Sequence, residues 1–429
     1  MTASIVSRTP SSITIQVQIP LHGSMLAMEE DILTATNQVG TLATQEALRM
    51  FDTDGTVIMI GPVKMTTKGP VPKDYQTPFG STTISRHVYQ TSDGGRTYCP
   101  LDDRARILVT STPRFAKLIS HKYAEFGSAR VCGDLANNHG RVVPRSFVQN
   151  LAETVGSIVL AQEESWTYST PVPNDRVIDV VTIGVDGTCA HMCEEGWRET
   201  MVGSISLYSN GERFHTTYIG AVPEYGKATF YERMEREIRH VKNLLPAATY
   251  VGLADGAKGN WDFLVNHTSL QTLDFYHATE YLTKVADSAF TRQPKIRKDW
   301  LDDACHRLKH NKTAPNALIG EMRNFQNSTK TQEASERIKA SLTYFQNQKK
   351  RMTYADNLKR GIPIGSGVTE AACKTIVKQR LCCSGMKWKE KGASIVLALR
   401  CLSHTEGRWI QFWGKVTQYG VPDVEWCTS

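Results

Sequence analysis

The chain contains no uninterrupted run of 18 apolar residues, so no segment reads as a membrane-spanning helix. It has no basic segment followed by an apolar one at its start, MTASIVSRTPSSITIQVQIP, so a secretory leader is not expected. Its ten cysteines include no CxxC pair, which leaves a disulfide framework or a standard zinc site without support. Cys189, His191 and Cys193 lie close together but match no usual zinc spacing, and a loop there would expose them. Free thiols fit a reducing cytoplasm, the expected location. Heptads, collagen repeats and low-complexity tracts are also missing. What remains is ordinary globular composition, 40% hydrophobic and 22% charged, in 429 residues, enough for two to four domains.

The charge is unevenly spread. Residues 281–429 carry 26 Lys+Arg against 13 Asp+Glu, a net of +13, while the whole chain is +7 and residues 1–280 are therefore −6. A basic C-terminal third on such a chain points to a polyanionic partner, or else to a solvated lysine-rich helical surface.

Taken in order, residues 1–24 show little periodicity and read as an arm without regular structure. Met25–Phe51 has apolar residues at helical spacing and stops at Asp52-Thr53-Asp54-Gly55. VIMIGPVKM reads as one strand and KGPVPKDYQTPFGS as a loop. A hairpin is expected around Ser92-Asp93-Gly94-Gly95. Together 1–112 make a small α+β module. Residues 113–170 read as three helices, opened by Pro113, Ser128 and Pro144, in helix-turn-helix outline. Arg141 and Arg145 would stand at the entrance of the third helix, where phosphate or base edges could be met; a plain three-helix bundle fits equally well.

The strongest pattern follows the linker at 168–176. IDVVTIGVDGTCA is a continuous β-branched run that ends in Asp186, and YVGLADGA ends the same way in Asp255. Between them lie two strands joined at Asn210-Gly211 and an amphipathic helix with Phe230, Met234, Ile238 and Val241 on one face. A fifth strand, LQTLDFY, reaches Asp274, with His277 and Glu280 beyond it. The order β-β-β-α-β-α-β-α is that of a ribonuclease-H-like core: a mixed five-stranded sheet with helices on both faces and the ends of its first and fourth strands side by side. Residues 281–360 are helical and basic, with 17 Lys+Arg against eight Asp+Glu, and read as an insertion. The core, 177–280 plus 361–402, resumes at GIPIGSG and a helix that opens with Glu370, followed by Lys374 and Lys378 at four-residue steps. The bland reading of Glu370 is a carboxylate favoured by a helix N-terminus. The tail, 403–429, holds Trp409, Trp413 and Trp426.

Buried acids at strand ends are costly unless paired or bound to metal. Asp186, Asp255 and Glu370 are the expected triad: oxygen ligands for two magnesium or manganese ions, with Asp186 shared between them. Asp274 and His277 are possible auxiliaries, and Asp262 and Glu194 are weaker rivals. At these residues the chain resembles the DDE-type insertion-sequence transposases, most of all the ISKra-type family. The resemblance rests on IGVDGT, LADGA, LDFYHATEYL and, above all, PIGSGVTEAACKTIVKQRLCCSGMKW; of the cysteine-bearing hairpin often seen near the N-terminus of that family only Cys99 is present. It implies that the three acids are catalytic and that the helical insertion between the second and third belongs to the design. It implies a double-stranded DNA partner, both transposon ends and target, with a homodimer or larger assembly holding two ends. Terminal inverted repeats would be bound, cut and joined to target DNA through their 3′-hydroxyls. The basic residues expected to meet DNA are Arg141, Arg145, Lys374, Lys378, Arg380 and Lys387. A ribonuclease-H-like nuclease or resolvase without strand transfer, and a transposase-derived DNA-binding protein that no longer cuts, are the alternatives.

Overall fold

A computed structural model describes residues 3–329 and 331–421, so Trp426 lies outside the described residues. They fold as two compact units: one from residues up to Ser169 with Ala398–Ser403 and the stretch from Gly407, the other from Thr170–Leu397 and His404–Glu406. Among the described residues no helix is long and apolar enough to cross a membrane.

In the first unit, β1 (Ala3–Arg8) and β2 (Ile13–Val17) pair as an antiparallel hairpin with Ile5 opposite Ile15. The expected structureless arm is thus a ribbon. Arg8 donates two hydrogen bonds to Glu46, at 3.0 and 3.1 Å, tying it to α1 (Met25–Arg49), the helix expected there. VIMIGPVKM is two strands, not one: β3 (Ile58–Ile60) turns at Gly61, whose φ is +56°, into β4 (Val63–Gln76). β4 also takes in the stretch expected as a loop. Its prolines are tolerated because β3 pairs only with residues 63–65 and the bridge from Gln76 to Ser111 lies at the far end, so around Pro70 and Pro72 β4 is bonded to β5 (Ser81–Thr91) alone. Pro70 and Pro72 therefore cost no ladder donor. β6 (Gly94–Tyr98) completes the four-stranded sheet through the expected hairpin, and α2 (Pro100–Arg104) follows. α3 (Pro113–Glu125), α4 (Ser128–His139) and α5 (Arg145–Ala161) lie where the helical pattern put them, with Leu151, Val155 and Ile158 fully buried. They belong to the same compact unit as the sheet, so residue 112 is no boundary between units.

The second unit is a mixed α/β body. β7 (Val180–Met192), β8 (Gly196–Ser209) and β9 (Glu212–Ala221) form an antiparallel meander; α6 (Ala228–Leu244) crosses to β10 (Thr249–Ala254), and α7 (Lys258–His267) to β11 (Leu270–Leu273). The sheet order is β11-β10-β7-β8-β9, with β10 parallel to both neighbours. The apolar face of α6 is buried as its pattern requires, Met234 completely. α8 (Phe275–Ala289), α9 (Pro294–His310), α10 (Ala314–Ser328), α11 (Gln332–Gln348) and α12 (Tyr354–Lys359) fill the region expected as an insertion. Leu308, Leu318, Met322, Ile338 and Phe345 from these helices share one core with Leu273 and Leu282, so the insertion is fused to the sheet domain. α13 (Gly367–Ala372) carries Glu370 and runs through a π-helical segment, Cys373–Lys378, into α14 (Gln379–Leu381). α15 (Glu390–His404) and α16 (Arg408–Tyr419) end the described chain, and Trp409 and Trp413 pack in α16 with 9% and 6% of their surface exposed.

Candidate metal and acid site

Three acids stand where neighbouring parallel strands finish. β10 pairs with β7 as far as Leu253 opposite Gly184, so Asp255 and Asp186 follow two residues later on adjacent strands. Asp186 is not at the end of its own strand: β7 continues with β8 to Met192, and what stops near Asp186 is the parallel pairing on the other side. The same geometry puts Cys189, His191 and Cys193 on and just beyond a strand rather than in a loop; Cys189 and Cys193 are exposed. On the far side of β10, the Asp274 N–H donates to the Ala254 carbonyl at 2.9 Å, which sets Asp274 at the end of β11. Crevices at the carboxyl ends of parallel strands are the usual ligand sites of open α/β sheets.

Asp186 accepts from the Gly187 N–H at 2.7 Å, and its other oxygen lies 3.5 Å from the Cys373 thiol. Burial pushes its carboxyl above the usual range, the negative charges of Asp255 and Glu370 add to that, and the bonds from Gly187 and Cys373 act against it. Burial, followed by the nearby Asp186 charge, also raises the Cys373 thiol, which stays protonated as a donor.

Asp255 is positioned from two directions. Its Oδ1 accepts from the Ala257 N–H at 3.1 Å and from Asn260 Nδ2 at 3.4 Å, and the same amide reaches the Val185 carbonyl, bridging both strands. From the insertion, Tyr344 Oη donates to the Asp255 carbonyl at 2.7 Å and Gln348 Nε2 to the Gly256 carbonyl at 3.1 Å. Gly256 has φ +109°, a conformation that favours glycine, and a Cβ there would sit a tight 3.0 Å from Tyr344 Oη. Tyr344 stacks on Tyr281 with ring centroids 3.8 Å apart.

Glu370 reaches the same edge because α13 lies directly on the sheet. A Cβ on Gly184 would come within 2.0 Å of Thr369 Oγ1, which is itself 2.7 Å from Ser204 Oγ. The Glu370 carboxylate turns toward α8: it accepts from Ser366 Oγ at 2.7 Å and lies 3.9 Å from His277 Nε2. Among the described residues, the acid and imidazole side chains whose ligand atoms all come within 4.8 Å of one another are Asp274, His277 and Glu370. The expected triad is therefore brought to one edge of the sheet, close enough for its charges to act on Asp186, but its three carboxylates do not meet at that distance. Asp274 is fully buried and both its oxygens are occupied. Oδ1 caps α8 through the His277 N–H at 2.7 Å, and Oδ2 takes the Ser366 N–H at 2.5 Å and Ser366 Oγ at 2.9 Å. It joins two backbone segments and is a positioning group rather than an open ligand.

Two of the expected DNA-facing cations are interior. Arg141 is 7% exposed and donates from Nε to the Thr77 carbonyl at 3.1 Å and from Nη2 to Gln76 Oε1 at 2.7 Å. Arg380 is 3% exposed with its guanidinium over the Trp388 ring at 5.1 Å. Both are buried among protein groups, Arg141 with oxygen acceptors of its own, so neither presents an open face to phosphate. Arg145 is exposed and bonds Ser128 Oγ at 2.8 Å, while Lys374, Lys378 and Lys387 are exposed. Tyr344, Gln348 and Cys373 carry no local sequence signal for their parts, since each acts on an acid far away along the chain. Asn260, five residues after Asp255, was within reach of a local reading. Comparison with protein-family models and with curated proteins finds no match for the chain.

Proposed function

We propose that this chain is a metal-dependent DNA-processing enzyme of the DDE-transposase kind, built on a ribonuclease-H-like core. The observation that carries the reading is the pair Asp186 and Asp255 on adjacent parallel strands, with Glu370 on a helix seated against Gly184 beside them. Among the described residues no lysine or arginine pairs with any of the three. A set of hard oxygen donors without a protein cation, one of them held up in pKa by burial and its neighbours, suits magnesium or manganese.

Two such ions, when bound, would activate the attacking hydroxyl and steady the leaving oxygen of a phosphodiester. Asp186 and Asp255 would hold them from the sheet. Glu370 would complete the set by leaving Ser366 and turning to the pair, a side-chain rotation on a fixed helix. Asn260, Tyr344 and Gln348 keep the Asp255 backbone in place, and the Cys373 thiol orients Asp186. The exposed Lys374, Lys378 and Lys387 would draw the DNA backbone to the same helix and its continuation. Cutting element ends and joining their 3′-hydroxyls to target requires two ends together, hence at least a dimer on DNA.

The test is a supercoiled plasmid carrying the DNA that flanks this gene, incubated with the full chain and Mn2+. Nicked and joined products are expected with wild type and none with a chelator. Asp186→Asn should lower product by more than about 100-fold, beyond the loss typical of a group that only supports a ligand, while end binding persists. Loss of binding and chemistry together would make Asp186 structural, and cleavage without joined products would leave a nuclease.

A further inference from the structure

Beyond Gly184 the pairing of β7 with β10 stops, and the chain that leaves α14 runs along the edge of β7 farther on. The Trp388 N–H donates to the His191 carbonyl at 3.0 Å and the Cys193 N–H donates to the Trp388 carbonyl at 2.9 Å, a parallel bridge that sets Trp388 beside Met192. Two residues back along the strand, the Cys189 carbonyl receives a side chain instead. Its donor is the Cys382 thiol, with Sγ 3.3 Å from the oxygen. Trp388 Nε1 donates to the Leu381 carbonyl at 2.8 Å, which closes the turn between them and holds Cys382 at the strand.

Cys189 has a thiol of its own, on the carbon that branches next to that carbonyl. It is exposed, while Cys382 is half-buried. Burial raises the Cys382 thiol first; Lys378 acts against it, and the charges of Cys383 and Cys189 add to the rise, so the two sulfurs are within electrostatic reach of each other. Cys383, the next residue, is turned back to its helix, with Sγ bonded to the Gln379 carbonyl at 3.1 Å. All the cysteines among the described residues are free thiols. An exposed thiol with a second, less accessible thiol beside it is the arrangement of an attacking and a resolving cysteine.

We propose that Cys189 and Cys382 form a reversible disulfide when the chain meets a small disulfide oxidant, and that the bond fastens the helix of Glu370 to the strand of Asp186. The Cys189 thiolate attacks one sulfur of the small disulfide and expels the other as a thiolate. Cys382 then gives its proton to solvent and attacks the Cys189 sulfur, and the second small thiolate leaves. Two protein thiols are oxidised and the small disulfide is reduced to two thiols. The bond closes at the far end of a helix whose Cys373 thiol already meets Asp186 at 3.5 Å. It therefore joins the carriers of two of the acids covalently, whatever those acids bind, and does not depend on the DNA reading.

The test incubates the reduced full chain with glutathione disulfide, traps the remaining thiols by alkylation and maps the peptides by mass spectrometry. The main cysteine pair is expected to join Cys189 to Cys382, lighter by two hydrogens than the reduced peptides and released by dithiothreitol. Cys189→Ser and Cys382→Ser should each abolish it, while Cys193→Ser and Cys383→Ser should keep it. Melting curves of the reduced variants that match wild type would tie the loss to the missing sulfur; where a variant does not fold, the wild-type map decides alone. Glutathione left on Cys189 with Cys382 still alkylated, a main pair of Cys382 with Cys383, or a cross-link that survives in Cys189→Ser would overturn the proposal.

Discussion

Arg141, in the connection before α5, and Arg145, its first residue, are four residues apart, and only Arg145 reaches the surface. Arg141 spends its donors on the Thr77 carbonyl and the Gln76 amide inside the first unit. Replacing it with alanine would strand a buried carbonyl and open a void, a loss of about 2 kcal/mol. Thermal unfolding of Arg141→Ala should show it, with DNA affinity unchanged once the protein is folded. Asp186 gives the opposite kind of prediction. Its folded carboxyl is raised by burial and by Asp255 and Glu370, so the protonated form is favoured by the fold. That contribution is complete at pH below the unfolded value and is lost as pH rises through the raised one. In chelator, wild type should therefore lose stability on going from acid to neutral pH relative to Asp186→Asn, whose amide carries no charge. Added Mg2+ should reverse the ranking, because an ion stabilises only the chain that binds it. Melting temperatures of both proteins across pH, with and without metal, would show whether the crossing occurs.

At the scale of elements, the decisive contact is α13 on β7. Gly184→Ala forces Thr369 and its helix away from the sheet, an overpacking cost of about 1–3 kcal/mol, and moves Glu370 with it. Cleavage should fall further than stability, and Thr369→Ala in the same background should recover part of both. This contact also shows what could and could not be read in the chain. The strand at Ile178–Asp186 and the strand before Asp255 were legible because continuous β-branched runs have few other homes, and their adjacency followed from the order of strands and helices. The glycine's purpose was not, because Thr369 lies far along the chain and nothing local marks the meeting. The β4 stretch reads as a loop in sequence because prolines argue against a strand, and only the absence of a second neighbour beside Pro70 and Pro72, a tertiary fact, admits them. Asp274 looked like a further ligand because it ends a strand as Asp186 and Asp255 seem to in sequence; its two capped backbone segments become visible only once Ser366 is beside it. The turn of Glu370 toward His277 likewise depends on side-chain partners that spacing does not reveal.

For the molecule as a whole, the surplus of Lys and Arg over residues 281–429 predicts an electrostatic mode of binding. Affinity for duplex should fall steeply as salt rises, by a logarithmic slope of about 0.9 per neutralised phosphate. Converting Lys374, Lys378 and Lys387 to glutamine together should flatten that slope by up to about 3; an unaltered slope would move the DNA path to another face. The route of the chain has its own consequence. The first unit takes its last piece, the stretch from Gly407, only after the whole second unit has been spelled out, and its Ala398–Ser403 piece only after all but three residues of that unit, His404–Glu406. Arg400 is sealed against the Ala124 carbonyl and Glu125, and Phe412 packs against Trp166, so both ends are needed to close that core. On the ribosome, at about 5–20 residues per second, the opening segment must wait tens of seconds for its closing helix. The inner unit can be finished first, and a chain released early would leave the outer one unsealed.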